Sequence, residues 1–297
     1  MTAQFISRGG EAENYNLETD WAYVDYSVLP SLRVRVGKYK IPEFIASDYL
    51  DVGYAYPWVR PPQDVYGTNP LISLNGLDLL YKIGFGESKL FVDLYYGDGT
   101  HKTFVQPRSY DLMLAKYGPA AVAGFEKGQS LLFDTHNTVG ASIKYAAPHY
   151  TARIGYFETK VDQTDFGMDN LPGAFGGVGF TMDVANIVAY AEFIRRNTDP
   201  EMEPAFPDQD AWYVTLGYRM GKFLPSVTLS QIKKGLDKSD FAIEETSTAV
   251  DLRYDVAASA DIKFQALYVK PKDGNHGLFS DPVKQGTVVT AAFDVIF

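Results

Sequence analysis

The chain has 297 residues, a formal net charge of -10 at pH 7, a sequence pI near 4.9 and no cysteine. These values exclude disulfides and thiolate chemistry, and they argue against a surface that binds nucleic acid or another polyanion. The four histidines are scattered without the spacing of metal ligands, so we predict neither a metal site nor a cofactor.

Hydropathy and aromatic content indicate the class of fold. Aromatic residues make up 14% of the chain, more than a soluble core needs, which is typical of aromatic girdles at two membrane interfaces. The mean hydropathy is nevertheless -0.16, and no apolar run approaches the roughly 18 residues that a spanning helix requires. Any membrane crossing must therefore use strands, and because lipid cannot satisfy an open sheet edge, we expect a closed β-barrel.

The start of the chain carries no basic segment followed by an apolar one, as a leader peptide would. Met1 stands inside strand-like sequence. We therefore expect the chain to begin within a longer barrel, without its leader and first strands.

Apolar and polar side chains then alternate at hairpin intervals, which predicts about fourteen antiparallel strands in a single domain covering residues 1–297. Each is near the ten or so residues that a tilted transmembrane strand needs. The predicted strands are residues 2–9, 17–28, 32–41, 74–85, 88–97, 136–147, 150–161, 175–185, 187–198, 210–220, 223–234, 245–256, 260–271 and 287–297.

The connections alternate between short and long, as periplasmic turns and outer loops do in a barrel. The first very long one, residues 43–73, has three prolines within residues 44–67 and many aromatic residues, which is unusual for an idle loop. We predict that it folds into the lumen and narrows the passage, and the alternative is a loop packed over the barrel mouth. Its candidate constriction residues are Asp48, Asp51, Tyr54, Tyr56, Trp58, Arg60 and Asp64.

Residues 32–42 (LRVRVGKYKIP) and 51–58 (DVGYAYPW) resemble the outer-membrane porins of γ-proteobacteria. The likeness continues to the end of the chain. It implies a complete barrel of about sixteen strands, of which this chain would lack two, and it places the segment 43–73 where general porins fold their constriction loop inward. It also implies a location in the bacterial outer membrane, with lipid, lipopolysaccharide and the insertion machinery as partners. A homotrimer is common in such porins, although a monomeric channel would have the same alternation.

Charged residues occupy the alternate strand positions, here called the inward parity, that we expect to face the lumen. Facing basic and acidic walls would orient dipolar solutes and select among ions, while the alternative is that the charges only pair with one another. The predicted basic set is Arg33, Arg35, Lys82, Lys144, Arg153, Arg219, Arg253 and Lys263, and the acidic set is Asp25, Asp78, Asp93, Glu192 and Asp251, with Asp294 on the same parity.

Two details of this assignment concern the strand 32–41. Arg33 and Arg35 are two residues apart, so both can reach one solute carboxylate or phosphate. Lys38 and Lys40 share the parity of lipid-facing Val34 and Val36 unless a β-bulge intervenes.

The second very long connection, residues 98–135, contains a predicted short helix at 110–117 that ends at Gly118-Pro119. It either caps the pore or makes surface contacts, and simple packing among the loops is the alternative. The last strand ends on an aromatic residue, Phe297, which resembles the recognition signal of proteins inserted into the outer membrane.

These features favour a passive diffusion channel for small hydrophilic solutes and ions, and we do not expect an enzyme. The carboxylates are isolated, and no Ser-His-Asp set is suggested. An outer-membrane enzyme or adhesin on the same scaffold is the alternative. Transport of hydrophobic substrates is a third possibility, against which the charged inner parity argues.

Overall fold

The structure is a computed structural model that describes residues 1–7, 15–279 and 281–297. In these ranges the chain forms one antiparallel sheet of fourteen strands, in which each strand pairs with the next along the sequence. The strands are β1 Thr2–Ser7, β2 Leu17–Leu29, β3 Leu32–Lys40, β4 Ser73–Phe85, β5 Ser88–Phe104, β6 Ser130–Ala146, β7 Tyr150–Gln163, β8 Met168–Val184, β9 Ile187–Thr198, β10 Gln209–Tyr218, β11 Phe223–Lys234, β12 Glu245–Ala257, β13 Ala260–Pro271 and β14 Gly286–Val295. The predicted all-β, up-and-down barrel fold is confirmed.

Several strands are longer than the sequence pattern predicts. The predicted connection 98–135 shrinks to residues 105–129, because β5 and β6 continue to pair beyond a register shift between Gly97 and Gly99. The Asp98-Gly99 pair, which resembles a turn, is thus accommodated as a β-bulge inside the ladder. Likewise β8 begins at Met168, seven residues before the predicted start at 175. Residues 8 and 9 of the first predicted strand lie outside the described residues.

The two faces of the sheet differ as a transmembrane barrel requires. On β10, Val214 and Leu216 point outward and are 48% and 59% exposed, whereas Tyr213 and Thr215 point inward and are 0% exposed. A soluble sandwich would bury the apolar set against a second sheet, but here the apolar set is the exposed one.

Closure of the sheet departs from the prediction. In the described part of the chain, β1 pairs with β2 and β14 pairs with β13, but β1 and β14 do not pair with each other. Phe5 of β1 and Phe293 of β14 are strongly exposed. The described sheet is therefore open along this seam.

In the described residues, the connections contain two α-helices, α1 (Gln63–Tyr66) and α2 (Pro107–Tyr117), and five short 3₁₀ turns. Helix α2 begins three residues before its predicted start, because Pro107 supplies a preorganised first turn. No helix in the described ranges is long and apolar enough to cross a membrane.

Candidate pore and its inner loop

The connection between β3 and β4, residues 41–72, lies inside the sheet and is called the inner loop here. Its 3₁₀ turns Ser47–Tyr49 and Gly53–Ala55 and the helix α1 give it a compact course. Its side chains and backbone contact the inner face of strands as far apart as β6 and β13. The inner loop therefore lies against the inner face of the sheet.

A buried carboxylate on β9 holds the inner loop against the wall. Glu192 is 4% exposed and accepts hydrogen bonds from the Tyr66 hydroxyl, from the Tyr213 hydroxyl at 2.8 Å and from the Ile45 backbone N–H at 2.8 Å. Two of these donors belong to the inner loop and one to β10. Glu192 faces inward, as its parity predicts, but the loop covers it, so it is a loop anchor rather than a charge in contact with water.

A second anchor is the indole of Trp58, which is fully buried. Its Nε1–H donates to Thr215 Oγ1 at 2.9 Å and to Thr228 Oγ1 at 3.1 Å. These threonines are directly opposite each other on β10 and β11 and share a hydrogen bond of 2.8 Å. The predicted constriction residue Trp58 thus points into the wall and not into the passage.

Aromatic packing fills the space between the inner loop and this side of the wall. The Trp58 ring lies 4.7 Å from that of Tyr190 and 5.6 Å from that of Tyr213, and the Phe44 ring lies 4.6 Å from that of Tyr66. Such ring pairs add to the free energy gained by burial of apolar area. Apolar packing therefore fills the side of the lumen along β7 to β11, and open space remains on the other sides.

The base of the inner loop begins at Glu43, whose carboxylate accepts a hydrogen bond from Asn69 and whose carbonyl oxygen accepts one from Arg153. Burial raises the pKa of the Glu43 carboxyl well above its ordinary value of 4.5. Arg153, predicted to line the pore, is buried and instead supports the start of the loop.

On the opposite flank, Arg253 and Lys263 hold the middle of the loop. Arg253 Nη1 donates to the carbonyl oxygen of Tyr54 at 2.6 Å, and Lys263 donates to that of Gly53. Lys263 also pairs with Asp294 at 3.0 Å. A Cβ at Gly53 would lie 2.2 Å from Asp294 Oδ1, so any larger residue would require the Asp294 side chain to move.

The wall formed by β2, β3 and β4 carries a charge ladder. Arg33 donates to Asp25 at 3.0 Å through Nε, and Arg35 lies 3.4 Å from Asp25 and 3.3 Å from Asp78. The two guanidinium groups that we expected to share a solute carboxylate therefore already share the carboxylate of Asp25.

Salt bridges connect this wall to the inner loop. Lys144 Nζ lies 3.1 Å from Asp48 Oδ2, and Lys40 pairs with both Asp51 and Asp20. Lys40 has the outward parity but is the last residue of β3, where the chain turns inward. The strand β3 itself has no bulge in its described pairing with β2 and β4, and the nearby register shift at Asp20 belongs to the pairing of β1 with β2.

The remaining predicted residues are distributed between the wall and its rims. Asp93 accepts a hydrogen bond from Ser142 at 3.0 Å, and Asp251 accepts one from Gln265 at 2.8 Å. Toward the short connections, Lys82 is exposed, and Arg219 lies just beyond β10 and pairs with Asp183 at 2.7 Å.

Five further predicted residues differ sharply in exposure. Asp64 is buried and accepts a hydrogen bond from Ser230, and Tyr54 donates to the Ala258 carbonyl at 3.0 Å. Tyr56 is also buried and donates to the Leu50 carbonyl at 3.0 Å. Arg60 is exposed. Phe297 lies beyond the end of β14 and is fully exposed.

Several cavities border the inner loop, and the volumes given for them include space open to solvent. One, of about 800 Å³, lies beside the charge ladder and is lined by Arg33, Arg35, Asp48, Asp78 and Lys144 among others. A second, of about 1030 Å³, lies beside α1 and strands β11 to β14, and a third, of about 1050 Å³, lies toward the long connections.

Sequence reasoning missed several residues that fix the inner loop. Thr215 and Thr228 were unremarkable inward positions, and Tyr213, Asn69 and Glu43 were not singled out. A usable signal was the presence of small hydroxyl side chains at the buried parity of two neighbouring strands, opposite a long aromatic loop.

No protein-family model matches the chain, and no curated protein matches it. Solved structures do match. OmpF of Salmonella typhi, in complex with daunomycin, aligns over 98% of this chain and 84% of its own, with a TM-score of 0.61 at 12% identity. The fold is that of bacterial outer-membrane porins.

Two further matches support this assignment of the fold. The anion-selective porin from Comamonas acidovorans aligns over 97% of this chain and 80% of its own, with a TM-score of 0.58 at 12% identity. A loop-deletion mutant of OmpT, an outer-membrane protein of Vibrio cholerae, aligns over 95% and 81%, with a TM-score of 0.58 at 11% identity. At these identities the likeness to porins concerns the fold alone.

Proposed function

We propose that this protein is a passive channel of the bacterial outer membrane that admits small hydrophilic solutes and ions. The observation that carries the proposal is the inner loop, which is anchored to one side of the wall and leaves a charged cavity at its other side. An exposed apolar outer face supports a membrane location, and charged inward positions support a wet interior.

The carboxylates of the interior have structural partners, which supports a channel over an enzyme. Glu192 accepts three hydrogen bonds, and Asp25 pairs with two arginines. A general base has to reach a substrate proton, and these groups are committed to the inner loop and the wall.

The assembly state and the partners extend the proposal. A V. cholerae OmpT structure with a TM-score of 0.51 is described as a trimer form, and we propose a homotrimer for this chain. Outer-membrane lipid and lipopolysaccharide would contact the apolar outer face, and the insertion machinery would bind the exposed terminal Phe297.

Conductance in a planar lipid bilayer tests the channel. We expect stepwise current increases when purified, folded protein is added under an applied voltage. Folded protein that produces no steps, but hydrolyses an ester, peptide or lipid substrate, would refute the channel and favour an enzyme on the same scaffold.

Ion preference tests the role of the charge ladder. Replacing Arg33 and Arg35 with Ala leaves Asp25 and Asp78 without their cations, so the reversal potential in a salt gradient should shift toward cation preference. The control is Lys233→Ala with Lys270→Ala, which removes the same charge from outward positions. An equal shift of the reversal potential in both double variants would contradict a role of Arg33 and Arg35 inside the pore.

A further inference from the structure

The cavity toward the long connections, called the outer cavity here, combines aromatic rings with positive charge. Four phenylalanines line it, together with Lys102, Arg108 and Arg196, and no carboxylate is among its described lining residues. The phenylalanines are Phe104, Phe206, Phe241 and Phe279.

Two of the three cations form hydrogen bonds to carbonyl oxygens and no ion pair in the described part of the chain. Arg196 donates through Nε and Nη2 to the carbonyl oxygen of Pro207, at 2.9 and 2.7 Å, and through Nη1 to that of Thr68. Arg108 donates to the carbonyl oxygen of Asp240 at 2.5 Å. Carbonyl oxygens satisfy the donors but do not neutralise the guanidinium.

Carboxylates lie in the surroundings of both arginines without pairing with them. Asp208 acts on Arg196 through space, and Glu244 and Asp240 act on Arg108, yet neither arginine has an ion pair within 4.0 Å in the described residues. Lys102 differs, since it pairs with Glu18 at 3.0 Å. The two arginines are therefore the cations of the outer cavity that have no ion-pair partner among the residues that the structure describes.

The aromatic rings supply an apolar surface beside this charge. Phe279 is half-buried, so its ring is accessible, while Phe206 and Phe241 are buried. Phe104 is 43% exposed and stands on the face of β5 opposite to that of the buried His101, so its ring points outward. Flat rings favour contact with an aromatic or other apolar body, and a guanidinium favours a carboxylate.

We propose that the outer cavity is a binding site for anions with an aromatic body, of the aryl carboxylate class, which occupy it before passing the inner loop. This inference rests on the proposed channel and narrows its solutes. It is narrower than the small hydrophilic solutes and ions that alternation alone suggests, because it requires one apolar and one cationic surface in the same cavity.

A neighbouring cavity extends the path. Phe279 also lines the 1030 Å³ cavity beside α1, which contains Arg60. Arg60 is exposed and has no hydrogen-bond or ion-pair partner in the described part of the chain. Asp64 and Glu245 line that cavity as well, so the preference for an anion belongs to the outer cavity.

Block of the open channel tests the site. Phenylpropionate, phenylpropylammonium and acetate are added in turn to the side of the long connections, and the ionic current is recorded in each case. We expect phenylpropionate to reduce the current at concentrations where the aromatic cation and the small anion have no effect. Equal block by the cation, or equal block by acetate, would overturn the proposal.

Variants locate the effect. Arg108→Gln should weaken block by phenylpropionate about tenfold, the size expected for one charge-assisted hydrogen bond, and Arg108→Lys should retain most of it. Phe279→Leu should weaken block by phenylpropionate but not the much weaker binding of acetate. A matched change on the outer face of β9 is Arg195→Gln, where the guanidinium pairs with Asp210 at 2.7 Å. It should leave block unchanged, and block lost equally in Arg195→Gln would overturn the location.

Equilibrium dialysis of phenylpropionate against detergent-solubilised protein separates this inference from the channel itself. Binding that depends on Arg108, in a protein without conductance, would retain the site and refute the channel. Conductance without binding or block would retain the channel and refute the site.

Discussion

The two very long connections follow opposite courses, although both contain prolines and a short helix. The inner loop, residues 41–72, enters the barrel and is covered by wall residues. The connection 105–129, called the outer loop here, stays at the mouth. There Met113 and Val122 pack with Phe241 of another connection, and the Phe125 ring stacks on that of Phe166 at 4.5 Å.

The difference teaches that length and rigidity do not determine where a loop goes. The inner loop finds polar partners deep in the wall, in Glu192 and the pair Thr215 and Thr228. The polar contacts of the outer loop are peripheral, such as the exposed pair between Lys127 and Asp111 at 2.7 Å. Buried hydrogen bonds to the wall therefore distinguish a loop that narrows a lumen from one that covers its mouth.

The largest effect should follow from removing the carboxylate anchor. Glu192→Ala leaves three donors unpaired in a dry site, and we expect a loss of about 3–5 kcal/mol in the stability of the loop's docked position. Limited proteolysis should then cut the inner loop, and the single-channel current should become larger or noisier. Glu158→Ala is the matched control, since the Glu158 carboxylate accepts from the Tyr156 hydroxyl on the exposed outer face. Equal protease resistance in both variants would contradict the anchor.

A smaller effect should follow from Trp58→Phe, which keeps an aromatic ring but removes the Nε1–H shared by Thr215 and Thr228. We expect a destabilisation of about 1–2 kcal/mol, measured by urea unfolding of the protein in lipid. The comparison is Trp212→Phe, where the half-exposed indole donates to Gln231 at 3.2 Å. Trp58→Phe should lower the free energy of unfolding more than Trp212→Phe does. The reverse order would contradict the anchoring role of Trp58.

Raising the pH should loosen the base of the inner loop. Because burial raises the pKa of Glu43, the folded state keeps a proton that the unfolded state loses above 4.5, so stability falls as pH rises. The slope is at most about 1.4 kcal/mol per pH unit for one proton. Protease cleavage of the inner loop, measured as a function of pH, should rise with pH in the natural protein and be flat in Glu43→Gln. A slope that persists in the variant would place the titrating group elsewhere.

The smallest effect is expected in the outer loop. Lys127→Ala breaks an ion pair between two exposed side chains, which should change stability by no more than about 0.5 kcal/mol. Urea unfolding measures it, ideally at two salt concentrations. A loss comparable to that of Trp58→Phe would mean that the outer loop is anchored as firmly as the inner one.

Local pattern was sufficient for the wall. The alternation of Trp212 to Tyr218 predicted both faces of β10, since side chains on a strand point to opposite sides in turn. The bulge near Gly99 was missed, because an Asp-Gly pair has the same local preference in a turn and in a bulge.

Parity also placed Glu192, Arg153 and Lys263 on the inner face, but it did not reveal that the inner loop covers them. Whether an inward side chain is covered depends on where the distant inner loop packs. The two-residue alternation of a strand carries no information about that. For the same reason, Arg33 and Arg35 were predicted to bind a solute, whereas in the structure they form salt bridges with Asp25 and Asp78.

The sequence by itself determined the number of strands, their order and the side of the sheet that each residue faces, because these follow from a two-residue period and from turn chemistry. Only the tertiary structure decided which inward charges are anchors and which line a cavity. The Ile45 N–H and the Glu192 carboxylate are 147 residues apart in the chain, and they meet only once the sheet has curved around the inner loop.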